Sequence, residues 1–177
     1  MKLRTVALEV GAVAALWVLL FELNSWLFAR WETSALANWI FLPAALRLVA
    51  VLILGWRGAA GLFLGALMTS ALMNAPWPEN LVLPALSALG PVLAVKLARD
   101  HLHWSVDLQG LRYSHLVLLA ALGAFSNGLL HHVYLALSAP DIDWGSVFLT
   151  MVGGDLLGTF VVMVIASAIL RRLSLPR

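Results

Sequence analysis

The chain contains no cysteine. Disulfides, thiolate metal ligands and thiol nucleophiles are therefore excluded from its chemistry. Charge is nearly as scarce. Charged residues make up 11% of the 177 positions, against about a quarter in an average soluble domain. The formal net charge of +2 is too small to suggest nucleic-acid binding. No phosphate-binding loop, hydrolase triad, zinc-protease motif or pair of catalytic carboxylates can be assembled, so the sequence points away from an enzyme. There is no low-complexity tract, clear repeat or composition break, and residues 1–177 read as a single domain.

What is present is hydrophobicity. Apolar residues account for 62% of the chain, and the mean hydropathy is +0.94. The expectation is an all-α, polytopic membrane bundle. Six apolar runs define six spans, at about 6–28, 38–55, 58–73, 81–98, 115–137 and 145–170. Lys2 and Arg4 precede the first run, which passes Leu20 without a clear cleavage site, so it reads as a retained helix. With the N-terminus cytoplasmic, the inner ends hold Lys2, Arg4, Arg57, Lys96, Arg99, Arg112, Arg171, Arg172 and Arg177, nine of the eleven basic residues. Only Arg30 falls outside. That bias places both termini in the cytoplasm of a bacterial inner membrane. Trp26, Trp31, Trp39, Trp77 and Trp144 fall near the outer boundary, and Trp56 and Trp104 near the inner one, as an aromatic belt requires.

Small residues recur at helical spacing: Ala7, Gly11 and Ala15 in the first run, Gly61, Gly65 and Thr69 in the third, and Gly154 and Gly158 in the last. Such stripes let membrane helices approach closely, and in a small bundle they serve internal packing more often than dimerisation. Pro84 and Pro91 should kink the fourth span, and Pro43 should loosen the second. The connection from Arg99 to Ser114, with His101, His103, Trp104, Asp107 and Gln109, is the longest inner loop and the obvious surface for a cytoplasmic partner.

Two charges lie deep in apolar runs, Arg47 and Asp155. A buried membrane charge faces protein or water and needs a partner. At helical rise Arg47 sits about 14 Å below Asn38 and Asp155 about 17 Å below Trp144, so an ion pair is possible if the second and last spans are neighbours. That pair either fixes packing or coordinates a ligand. Nearer the outside lie Glu22, Asn38, Asn74, Asn127, His131, His132 and Tyr134. His131 and His132 point about 100° apart, so at most one faces the bundle centre. Two histidines at one depth on different helices are lacking, which disfavours haem. Glu22 with one histidine offers too few ligands for a metal. The candidate ligand-binding set is Arg47, Asp155, Glu22, Asn74, Asn127 and His131, in a pocket opening outward with the two charges at its floor. No cofactor can be named.

Phe41-Leu-Pro-Ala-Ala45, Leu54-Gly-Trp-Arg57, Gly61-Leu-Phe-Leu-Gly-Ala-Leu67 and the closing Gly153-Gly-Asp-Leu-Leu-Gly158 resemble the first class of bacterial membrane-associated sensor domains over about residues 38–170. The resemblance implies a vitamin-uptake-like sensor that normally precedes a cytoplasmic kinase or cyclic-di-GMP output domain. Residues 1–177 contain no such domain, so the signal would pass to a partner protein. The six-helix size is also similar to the substrate-binding subunits of energy-coupling-factor vitamin transporters. Three functions follow as expectations. The first is a non-enzymatic sensor-like or small-ligand-binding module in contact with membrane lipid and a protein partner. The others are an accessory subunit of a larger membrane complex, and a transporter's substrate-binding subunit.

Overall fold

The structure is a computed structural model that describes residues 3–28, 32–34, 37–102, 113–138 and 143–174. Six helices dominate: α1 (Leu3–Phe28), α2 (Pro43–Leu54), α3 (Trp56–Leu72), α4 (Glu79–Leu102), α5 (Tyr113–Ser138) and α6 (Trp144–Ser174). A minimal antiparallel ribbon, β1 (Glu32–Ser34) with β2 (Ala37–Asn38), lies between α1 and α2. The all-helical expectation holds. Four helices, α1, α4, α5 and α6, are long and apolar enough to cross a membrane, while α2 has 12 residues and α3 has 17.

The second apolar run departs most from expectation. It is not helical from Asn38; β2 ends there, and the helix starts only at Pro43. Proline at the first helical position is the physical reason, because its missing N–H belongs to a turn whose donors have no intrahelical partner. Pro43 thus opens a helix, where the sequence suggested loosening within one. The donors around this start all find acceptors. Ala44 and Ala45 N–H donate to the carbonyls of Phe41 and Leu42 at 3.1 and 3.3 Å. Leu42 N–H donates to Asn24 Oδ1 at 2.8 Å, and Phe41 N–H donates to the Gly154 carbonyl at 3.0 Å. A buried helix start without such partners would be costly.

α4 continues through its prolines. Pro84 and Pro91 lie inside α4, which remains a helix from Glu79 to Leu102. Gly55, at φ +58°, turns the chain from α2 into α3, a conformation that glycine alone adopts without strain. Asn74, at φ +53°, closes the end of α3 in the same region, where asparagine is the commonest substitute for glycine. The stretch 103–112, with His103, Trp104, Asp107 and Gln109, lies outside the described residues.

α1, α3, α4, α5 and α6 pack each on the next in an open row, and α2 sits inside it touching all five. The stripes of small residues explain two contacts. A methyl group on Gly61 would meet Val13 at 2.6 Å and one on Gly65 would meet Trp17 at 2.7 Å, so α3 lies directly against α1. A methyl on Gly154 or Gly158 would come within about 2 Å of the Asn38 or Phe41 carbonyl, so α6 lies against the non-helical segment 38–41. The third stripe does not pack internally: Ala7, Gly11 and Ala15 are exposed, and a methyl on Gly11 would meet nothing. The buried face of α1 is instead Val13, Ala14, Trp17 and Asn24. Trp26, Trp39, Trp56 and Trp77 are exposed, while Trp144 is buried and packs within the protein. Trp31 and Trp104 lie outside the described residues.

Candidate functional site

The centre of the bundle holds an ion pair. Arg47, on the second turn of α2, donates from Nη1 to Asp155 Oδ2 of α6 at 2.7 Å, and both side chains are 7% exposed. Asn127 of α5, 1% exposed, donates from Nδ2 to the same carboxylate oxygen at 2.9 Å. The depth match anticipated in the sequence is realised as contact. Four features place these groups: Pro43 starts α2 one turn before Arg47, Gly154 and Gly158 bring the preceding segment onto α6, Gly90 of α4 lies against the backbone of Asn127, and Gly123 of α5 lies against Leu48. A methyl on Gly90 would meet Asn127 Cα at 2.9 Å.

Aromatic rings complete the arginine's surroundings. The guanidinium carbon lies 4.8 Å from the Phe41 ring centroid and 5.5 Å from that of Trp17. Contacts of this kind contribute from about 0.5–1 kcal/mol at exposed sites to about 2 kcal/mol when desolvated. The rings are themselves held: Phe41 meets Trp17 edge-on at 6.1 Å and Phe21 at 6.4 Å, and Trp17 Nε1–H donates to Thr69 Oγ1 at 3.3 Å. The arginine is therefore enclosed by α1, the 38–42 segment, α5 and α6. Two polar atoms within this centre keep no hydrogen-bond partner, Arg47 Nε and Asn127 Oδ1. Beside the pair is a narrow cavity with room for about one water, lined by Arg47, Asp155, Thr159 and the small side of α5 at Ala120, Gly123 and Ala124.

The six residues singled out from the sequence divide into two groups. Arg47, Asp155 and Asn127 converge, and His131 lies one turn further along α5, buried. Its Nδ1–H donates to the Asn127 carbonyl at 2.9 Å, and Ser87 of α4 lies 3.4 Å from Nε2. A carbonyl can only accept, so this contact sets the tautomer. Glu22 and Asn74 do not join them: both are exposed. Glu22 lies on the face of α1 opposite its buried stripe, and Asn74 is engaged in ending α3. The outward pocket they were expected to rim is not formed by these side chains. Only one of the adjacent histidines turns inward, as their 100° separation requires; His132 is half-buried with its ring 5.4 Å from Phe148.

Three residues of the centre were not among the site residues read from the sequence. Asn24, 1% exposed, closes the start of α2; Trp17 and Phe41 flank the arginine. Asn24 stands seven residues after Trp17, on the same helical face, and an asparagine on the aromatic stripe of an apolar run was the available signal. A second ion pair, Arg57 Nη1 with Glu9 Oε2, joins the start of α3 to α1 near the basic end of the bundle. The chain matches no protein-family model, no curated protein and no solved structure.

Proposed function

We propose that the chain is a multi-pass inner-membrane protein with both termini cytoplasmic, a non-enzymatic, sensor-like module that works through a partner protein. Its responsive element is the Arg47–Asp155–Asn127 centre. Six segments cross or enter the bilayer, with the second made of the non-helical segment 38–42 followed by the half-length helix α2. The observation that carries this reading is the charge pair on the second turn after that segment changes from non-helical chain to helix. Interrupted helices beside intramembrane charges are a common construction for binding sites within membranes, and an intramembrane ionisable residue is a functional candidate by default. The unpartnered Arg47 Nε supplies a donor that a small polar ligand can engage once the cavity beside the pair widens.

A second reading, an accessory subunit whose ion pair only fixes packing, is favoured by one observation: the cavity has room for about one water. The two readings separate in one experiment. The protein is purified in mild detergent, its co-purifying small molecules and proteins are identified by mass spectrometry, and the double variant Arg47→Leu/Asp155→Leu is treated alike. The sensor reading expects a small molecule that is retained by the native protein and lost from a folded double variant. A double variant that folds, keeps its partner in fixed stoichiometry and shows no lost molecule leaves the subunit reading standing and removes the first.

A further inference from the structure

A guanidinium carries N–H donors only and accepts nothing. On Arg47, Nη1 donates to Asp155 Oδ2, but the buried Nε has no acceptor in the protein. A buried donor left unmade loses its hydration without return. Few places around it can hold an acceptor. Phe41 and Trp17 present ring faces to the guanidinium, and Asp155 is engaged at Nη1. The cavity beside the pair borders Arg47 as well, and it has room for about one water. Its walls are of two kinds. Leu48, Pro91 and Ala120 are apolar, and two of them belong to the dry core of the bundle. Arg47, Asp155 and Thr159 are polar and buried, and Asp155 and Thr159, four apart, share one face of α6. Cavities that stay dry are apolar throughout, whereas a buried water takes two to four polar partners.

We propose that this cavity is a binding site for a single water, which accepts from Arg47 Nε–H and donates to the Asp155 carboxylate and Thr159 Oγ1. Charge argues for a neutral occupant, since an anion would meet the carboxylate and a cation the guanidinium. Size argues for water over any larger polar molecule. The water gives α2 and α6 a second, indirect link beside the direct ion pair, and it ties in the turn of α6 that follows Asp155. The inference rests on the geometry of the centre and holds for the sensor and subunit readings alike. For the sensor reading it also names the atom that a ligand must present. That atom is an acceptor oxygen taking the water's place as the cavity widens, because Nε–H only donates.

The test is nuclear magnetic resonance on the full chain in detergent micelles, with isotope-labelled arginine and the Arg47 Nε–H resonance assigned by its loss from Arg47→Lys. Cross-peaks between that proton and the water frequency are recorded in the laboratory frame and in the rotating frame. A water held in the cavity gives peaks of opposite sign in the two, whereas proton exchange with bulk water gives the same sign in both. Opposite signs are expected. Thr159→Val should keep the peak, because Arg47 and Asp155 still hold the water. Ala124→Val, which fills the cavity from α5, should abolish the peak and leave the Nε–H resonance in place. A native protein without the peak overturns the proposal, and an Nε–H resonance shielded by ring currents would then assign that donor to an aromatic face. Loss of the peak in Thr159→Val also overturns it, since the signal then came from the hydroxyl. So does an unchanged peak in folded Ala124→Val, and where that variant does not fold the native and Thr159→Val spectra decide. Small molecules retained by the native protein judge the sensor reading separately, by mass spectrometry.

Discussion

Among the described residues, two arginine–carboxylate pairs hold this bundle, and they differ in almost everything except their chemistry. Arg47–Asp155 joins helices 108 positions apart in sequence, with both side chains 7% exposed, and shares its carboxylate with Asn127. Arg57–Glu9 joins the basic ends of α3 and α1 with side chains 24% and 26% exposed. Removing water from a charge costs several kcal/mol per ion. The inner pair is offset only because geometry, aromatic faces and an amide act together, whereas the outer pair keeps part of its hydration and needs no such assembly. The inner pair should therefore be expensive to break singly, and the outer one nearly free.

The largest effect expected is from Asp155→Leu, which strands the guanidinium between Phe41 and Trp17. A loss of about 3–5 kcal/mol is expected, measured by reversible unfolding in mixed micelles. Adding Arg47→Leu should restore most of it, since well-packed apolar replacements of buried pairs are often neutral. A double variant as unstable as the single one would mean that the charges contribute net stability, and the contrast between the two pairs would need another cause.

Next comes Gly158→Ala. Its methyl would stand 2.0 Å from the Phe41 carbonyl oxygen, a contact that backbone cannot relieve by rotating a side chain. The segment 38–42 must move, and with it the ring that covers Arg47. Overpacking of this kind costs about 1–3 kcal/mol, and the upper end is expected here. Gly11→Ala, which meets nothing, should leave the midpoint unchanged. If both glycines tolerate alanine equally, segment 38–42 is not pinned against α6.

Asn24→Leu follows, with about 1–3 kcal/mol expected from leaving the buried Leu42 N–H without an acceptor. Hydrogen exchange at Leu42 should rise with it, while exchange at the far end of α2 should not. A unique rise at Leu42 would tie the cost to the helix start rather than to general loosening.

The reason that some of this was legible and some was not lies in which residues are unusual for their surroundings. Arg47 and Asp155 stand out because a charge in an apolar run is rare, and their depths could be compared by counting helical rise. Asn127 and His131 stood out similarly and on one face. Segment 38–42 did not, because Trp39-Ile-Phe-Leu is as apolar as a helix interior and carries no period; only Pro43, read as loosening the span, marked the true start. Phe41 and Trp17 were hidden by abundance, as aromatic side chains near membrane boundaries are usually anchors. Glu22 and Asn74 were legible as polar but not as exposed, because facing depends on which neighbours a helix acquires. The stripe on α1 shows the same limit: Ala7, Gly11 and Ala15 match the spacing of Gly61, Gly65 and Thr69, yet only the second set found a helix to pack on.

The smallest effect separates the two pairs most cleanly. Glu9→Gln removes the outer carboxylate but leaves Arg57 at the partly hydrated edge of the bundle, where a pair contributes about 0–1 kcal/mol. What remains of that contribution should vanish as salt rises from 0.05 to about 0.5 M, because the screening length then falls from over 10 Å to roughly 4 Å. The Asp155→Leu deficit should persist across the same range, since ions do not enter the enclosed centre. If the two deficits fall in parallel with salt, water and ions reach Asp155 as readily as Glu9. The inner pair would then be a hydrated site open to the bulk rather than a sealed junction.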